Sequence, residues 1–275
     1  MNNNTWNPIR RNRNIGTSKS GHGKDNKMVI PHKSNNSRNS WEDLTSYHAI
    51  SRKVNEKEIT FLIEPTKENY KYYCTVEDIV YLLKFIPEYE IDLIDLIIFR
   101  QPKRKEEILD PVWGRLAYWV RIDKYCGTAI MLEAQDINKK IYWDKSLKPD
   151  ELKELERLQQ DGFKITGDRR GYIIQKTENA IRETQLYRTL LHEIGHWVHY
   201  VSKVIYESIV SNEYPDDENS EILNDKYSKI PIMEKEKFAN LYADVTKKRL
   251  INEGVIPFPR KHSTFDDEII NTYFY

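Results

Sequence analysis

Residues 190–200 read LLHEIGHWVHY, and the fold turns on how that stretch is read. Two histidines, His192 and His196, stand four apart, with Glu193 directly after the first. On an α-helix that spacing is one turn plus about 40°, so the two rings project side by side. A zinc ion takes neutral imidazoles about 2 Å away, and a rigid helix with this spacing supplies two of them. Glu193 points elsewhere, within reach of a water on such an ion. That is the position of a general base, because zinc makes its water acidic and a nearby carboxylate can take the proton during attack.

The helical reading holds over a longer range. Leu190, Leu191, Ile194, Trp197, Val198 and Val201 recur at helical spacing, and the pattern extends over about 179–204. Gly195 lies between the two histidines. Glycine costs helix stability, so its presence there predicts that a neighbour packs closely.

A catalytic zinc needs a third protein ligand and one open position. The sequence offers acids in two places. The stretch 208–231 and its approach contain Glu207, Glu213, Asp216, Asp217, Glu218 and Glu221; they read as a polar, proline-broken loop, which is a poor rigid scaffold. The second place is a strong helical pattern over 233–252, MEKEKFANLYADVTKKRLIN, which offers Glu234 and Glu236. Glu236 is preferred. Ala239 and Ala243 are small enough to let two helices approach, and Asn240 falls on the same face one turn after Glu236. Its side-chain carbonyl could orient a metal-bound histidine, with Asp244 a turn further as the fallback. Arg188, His199 and Tyr242 are the candidates for stabilising a developing oxyanion, with no ground in the sequence for choosing among them.

HEIGHWVHY followed by EKFANLYA resembles the gluzincin class of zinc metallopeptidases, and within it the ImmA/IrrE-like minimal zincins. The likeness covers about 165–252. It implies a zincin-like fold, a protein or peptide substrate, and Zn2+ held by His192, His196 and Glu236 with Glu193 as the base. It also implies that an edge strand just before the active-site helix pairs with the substrate, and GYIIQ (171–175) stands in that place. The alternative is a non-hydrolytic zincin-like regulatory or binding protein that acts through partner contacts.

The rest of the chain fixes the class. At 275 residues, with 39% apolar and 31% charged residues, it can bury a core without staples. The two cysteines, Cys74 and Cys126, indicate no disulfide framework. No apolar run reaches membrane-spanning length, and the start lacks the apolar core of a secretory signal. A cytoplasmic location is the expectation, with non-classical export left open.

Three regions are expected. Residues 1–40 hold eight Lys and Arg against Asp25 alone, so 8 − 1 = +7, and the neutral total leaves 41–275 at −7. That first stretch reads as a disordered basic arm, suited at most to an acidic partner or nucleic acid. Residues 41–147 are rich in β-branched and aromatic runs: EITFLIEP (58–65), YKYYCT (70–75), DLIIFRQ (95–101), RLAYWVRI (115–122), TAIMLEAQ (128–135) and KKIYWD (139–144). VEDIVYLLKF (76–85) interrupts them as a helix with Thr75 as N-cap. Residues 148–275 hold the metallopeptidase core, beginning with a charged helix over 148–162. Strands followed by helices without regular alternation predict α+β, with a mixed or antiparallel sheet, an active-site helix and a second ligand-bearing helix.

Overall fold

A computed structural model describes residues 44, 46–102, 113–210, 217–262, 265 and 268–274. The basic arm expected over 1–40 lies outside them.

The architecture is α+β. Five strands form a mixed sheet in the order β1-β2-β4-β6-β5. They are β1 (His48–Val54), β2 (Lys57–Ile63), β4 (Ile94–Arg100), β5 (Gly114–Ile122) and β6 (Tyr125–Glu133). The outer pairs β1–β2 and β5–β6 are antiparallel, while β4 runs parallel to both β2 and β6. β1 was not anticipated. Its residues HAISRKV alternate in burial, but the inward positions before Val54 are only half-buried and include His48 and Arg52, so the apolar signal is weak. A two-residue turn with Asn55 at φ 53° folds it back on β2, a conformation asparagine tolerates.

Central β4 is apolar on both sides, as a strand covered on both faces must be. At its end Arg100 pairs with Glu133 of β6 at 2.5 Å, both almost fully buried. YKYYCT, expected as a strand, pairs at Tyr70–Lys71 (β3) with Gln135–Asp136 (β7) and adds one isolated bridge from Tyr72 to Phe274. Tyr72 leaves the sheet because its ring is taken into the core between Phe99 and Phe274, and its hydroxyl donates to the Glu64 carbonyl. A small antiparallel sheet, β8-β10-β9, joins β8 (Ile141–Asp144), β10 (Gly171–Gln175) and β9 (Lys164–Gly167).

Helix α1 (Val76–Leu83) starts at a capping box between Thr75 and Asp78, followed by α2 (Glu88–Ile91) and α3 (Pro149–Gln160). The expected helix over 179–204 is one continuous rod with two wide turns in it. It comprises α4 (Glu178–Thr184), a π-helical turn Gln185–Leu190, α5 (Leu191–Tyr200), a second π-helical turn Val201–Ile205, and α6 (Tyr206–Val210). Wide turns of this kind re-aim side chains on either side of them and concentrate near functional sites. The stretch 208–231, expected as a loop, is largely helical: α7 covers Asp217–Lys229. Helix α8 (Ile232–Asn252) and the short α9 (Glu268–Asn271) complete the set among the described residues.

One apolar cluster joins both halves of the sequence. Phe61, Ile97, Phe99, Ile130 and Leu132 from the sheet pack with Leu186, Leu190, Leu191, Ile194 and Trp197 from the long rod. The regions expected at 41–147 and 148–275 therefore share a core. Buried Asp78 fastens the start of the rod: it accepts two bonds from Arg182, at 2.8 and 3.0 Å, and one from the Lys261 N–H. Among the described residues no helix is long and apolar enough to cross a membrane.

Candidate metal centre

Helices α5 and α8 cross at Gly195. A Cβ there would stand 3.0 Å from the Cα and the carbonyl oxygen of Ala239 and 3.0 Å from the Tyr242 Cβ. Two of these are backbone atoms that cannot swing away. The glycine is what lets the second helix approach, and Ala239 is the small residue facing it. The close crossing brings Glu236, one turn before Ala239, over the two histidines.

Three ligand-type side chains converge there. The Nε2 atoms of His192 and His196 are 3.0 Å apart. The Glu236 carboxylate places one oxygen 3.2 Å from His192 Nε2 and the other 3.3 Å from His196 Nε2. A tetrahedral zinc with bonds of about 2.0–2.1 Å sets its ligand atoms about 3.3 Å apart. The three observed distances, 3.0, 3.2 and 3.3 Å, are close to that spacing, with a different Glu236 oxygen facing each ring. Two imidazole nitrogens and a carboxylate also make a donor set that zinc takes. Among the described residues this is the one group of three or more such side chains gathered closely enough to hold a metal.

The electrostatics agree with a cation-seeking site. Burial opposes charge on His192, yet its bond to Glu236 and the nearby Glu193 charge outweigh this and raise its pKa. The same two ring contacts hold the Glu236 carboxyl well below its usual range, against the opposing effect of burial. Asn240 lines the same cleft and lies close enough to His192 to help raise its pKa.

Glu193 is separate from the triangle and 7% exposed. Burial raises its pKa, partly opposed by the two histidines and by a hydrogen bond from the Leu116 N–H to its Oε2 at 2.7 Å. Leu116 belongs to β5, an edge strand of the large sheet. β5 also presses on the rod, since a Cβ at Gly114 would stand 2.5 Å from Thr189 Cγ2.

These elements enclose an open cleft of about 670 Å³, with β5 along one wall and α8 along the other. The strand wall corrects one expectation. β10, which holds GYIIQ, is paired on both sides, by β8 and by β9, and has no edge to offer. The edge strand at the cleft is β5.

The oxyanion candidates are scattered. Arg188 lines the cleft, fixed by Glu154 at 3.0 Å and Asp161 at 3.3 Å. His199 is buried away from it, stacked on Phe238 at 4.4 Å, and burial lowers its pKa. Tyr242 turns its hydroxyl to Glu90 of α2 at 2.5 Å and is outside the cleft. The cleft holds instead a tyrosine the sequence did not suggest, Tyr118 of β5. Its hydroxyl lies 3.1 Å from that of Tyr227, and burial raises its pKa. Asp244, the fallback for orienting a histidine, pairs with Arg157 at 3.0 Å. Of the other acids considered as third ligand, Glu213 and Asp216 lie outside the described residues, and neither Glu207 nor Glu234 lines the cleft.

No family model, curated protein or solved structure matches the chain. The site is therefore read from its own geometry.

Proposed function

We propose that the chain is a zinc-dependent peptide hydrolase of zincin-like build. The observation that carries this reading is the triangle of His192 Nε2, His196 Nε2 and a Glu236 oxygen pair, with edges of 3.0–3.3 Å, beside a buried carboxylate that is not part of it. Three acceptor-rich groups packed this closely need a proton or a metal cation between them. Zinc held there would make a water acidic enough to attack at neutral pH and would polarise the scissile carbonyl.

The chain's own residues do the rest. Glu193 takes the proton of the attacking water as the C–O bond forms. It then delivers that proton to the amine nitrogen as the C–N bond breaks. Its raised pKa makes it a stronger base than an exposed glutamate, and the Leu116 N–H holds one of its oxygens in place. The edge of β5 offers backbone groups to an extended peptide, which would lie along the cleft as an added strand. Tyr118 and Arg188 are the donors at hand for the negative charge that develops on the carbonyl oxygen.

The test is Glu193→Gln in the full chain, with zinc content and cleavage of a mixed peptide library as readouts. Zinc stays near one per chain, and turnover falls by roughly 10²–10⁴-fold. Cleavage at the wild-type rate by the variant would remove Glu193 from the chemistry. A wild type that binds no zinc and cuts nothing would end the reading.

A further inference from the structure

Tyr118 lines the metal cleft from an irregular point in its strand. The register of β5 against β6 slips between Ala117 and Val120, and Tyr118 and Trp119 there are two exposed residues in succession. Irregularities of this kind re-aim side chains beside active sites. Thr128 Oγ1 donates to the Tyr118 carbonyl at 3.1 Å and fixes the backbone. The Tyr118 ring meets Tyr200 of α5 at 4.7 Å and Tyr227 of α7 at 6.0 Å, and the hydroxyls of Tyr118 and Tyr227 are 3.1 Å apart.

Either hydroxyl could donate on distance alone, and burial decides between them. Tyr227 is 5% exposed and Tyr118 38%. Among the described residues the Tyr227 hydroxyl has one hydrogen-bond partner, Tyr118. A buried O–H left without an acceptor costs about 1–3 kcal/mol, so the Tyr227 proton goes to the Tyr118 oxygen. The proton of the more exposed Tyr118 is then left for the cleft. A hydroxyl that accepts one hydrogen bond also becomes a better donor of the next. Arg188, the other donor at hand, is engaged by Glu154 and Asp161.

Tyr227 is itself held from several sides. Its ring packs edge-on against Tyr200 at 5.2 Å and against His199 at 5.5 Å, and Lys235 Nζ lies 4.4 Å from its centroid. The Tyr200 hydroxyl donates to Asn224 Oδ1 at 2.7 Å, a second tie between the rod and α7. None of these contacts uses the Tyr227 oxygen. We infer that Tyr227 is a positioning residue for the reaction: its hydroxyl, donated to Tyr118, turns the Tyr118 proton into the cleft to meet the oxygen of the attacked carbonyl. The inference rests on the proposed hydrolase reading. Tyr118 is the group that touches the substrate, and Tyr227 acts only through it.

Two measurements on the full chain test this. The first needs neither metal nor substrate. With carbon-13 at the tyrosine Cζ and equal parts of light and heavy water, a slowly exchanging hydroxyl gives two resolved lines and a rapidly exchanging one gives a single averaged line. Tyr227, assigned by its loss in Tyr227→Phe, should give two lines and Tyr118 one. The Tyr227 pair should merge in Tyr118→Phe. Two lines for Tyr118, or one for Tyr227, would overturn the direction of the bond and the inference with it. The second measurement is kcat and KM of the zinc-loaded protein on the peptide it cuts fastest from a mixed library. Tyr118→Phe should lower kcat by about 10²-fold, as loss of an oxyanion donor does. Tyr227→Phe should lower it about three- to tenfold, the worth of one hydrogen bond, with KM and zinc content unchanged. The double variant should be no slower than Tyr118→Phe alone. Tyr200→Phe, which removes the other tie to α7, should keep the wild-type kcat. Tyr227→Phe at or above the wild-type rate, a loss confined to KM, additive losses in the double variant, or an equal fall in Tyr200→Phe would each overturn the positioning role and leave the hydrolase reading standing. A wild type that cuts no peptide would end that reading and the role of Tyr227 with it.

Discussion

Removing the metal should reverse the way this part of the molecule responds to pH. Without zinc, His192 has a raised pKa, so its contribution to stability is complete below the ordinary imidazole value of 6.5 and is lost as pH rises through the folded value. Glu236 has a depressed pKa, so its contribution is complete above the ordinary 4.5 and is lost as pH falls. The metal-free cluster is therefore most favourable between these two values, as a proton-bridged ion pair. Zinc needs both imidazoles neutral, so it competes with the same protons and gains as pH rises. At a free zinc concentration 100 times Kd the bound ion stabilises the fold by about 2.7 kcal/mol. For a body of this size that is roughly 5–10 °C in Tm. The assay is thermal unfolding with matched zinc-buffered and chelated samples at pH 5.5, 6.5 and 7.5. The gap between the two curves should be small at pH 5.5 and reach the full figure at pH 7.5. An equal gap at all three values, or no gap at pH 7.5, would refute the shared-proton argument and with it the metal triangle.

Other outcomes follow from the same geometry. Glu236→Gln should weaken zinc by orders of magnitude, whereas Glu234→Gln, outside the cleft, should leave it nearly unchanged; titration against a competing chelator reads both. Gly195→Ala should gain about 1 kcal/mol of helix propensity and lose about 1–3 kcal/mol at the crossing with Ala239, for a net loss of stability in urea unfolding. Because the crossing also sets the ligand spacing, the same variant should bind zinc more weakly.

Much of the site was legible because it is local. His192, Glu193 and His196 lie within five residues on one helix, so their spacing alone sets their geometry. Gly195 and Ala239 announced a close crossing, and that crossing is what places Glu236 and Asn240. The parts that escaped are long-range or belong to weak patterns. β5 ends seventy positions before His192, and nothing in RLAYWVRI says which sheet edge it will occupy. Sequence proximity points to GYIIQ for that edge, but its alternation suits a central strand equally, and it is one. The acidic stretch before α8 was read as loop because it is polar and bounded by prolines. Charge does not prevent a helix, and Asp217–Lys229 forms one.

The contact that the sequence could least reveal is the one between Leu116 and Glu193, which are 77 positions apart. It can be tested by itself. The Leu116 N–H points off the sheet, to the carboxylate at 2.7 Å, so it contributes nothing to the pairing of β5 with β6. An edge strand tolerates proline at such a position, because the missing N–H breaks no ladder bond and the preceding residue is already extended. In Leu116→Pro the ring Cδ takes the place of the N–H hydrogen, so the Glu193 oxygen now 2.7 Å from that nitrogen must turn aside; the variant should fold and keep its zinc with that carboxylate moved. What it loses is a donor that favours the ionised form of Glu193, and that hydrogen bond is one of the effects holding the pKa down against burial. The pKa should rise further. A general base must be deprotonated to act, so the acid limb of kcat/KM against pH should move to higher pH, while turnover on the alkaline plateau falls by a smaller factor than in Glu193→Gln. An acid limb that stays where it was, in a variant that is folded and metal-loaded, would mean that the strand does not tune the base and that β5 serves only as a wall of the cleft.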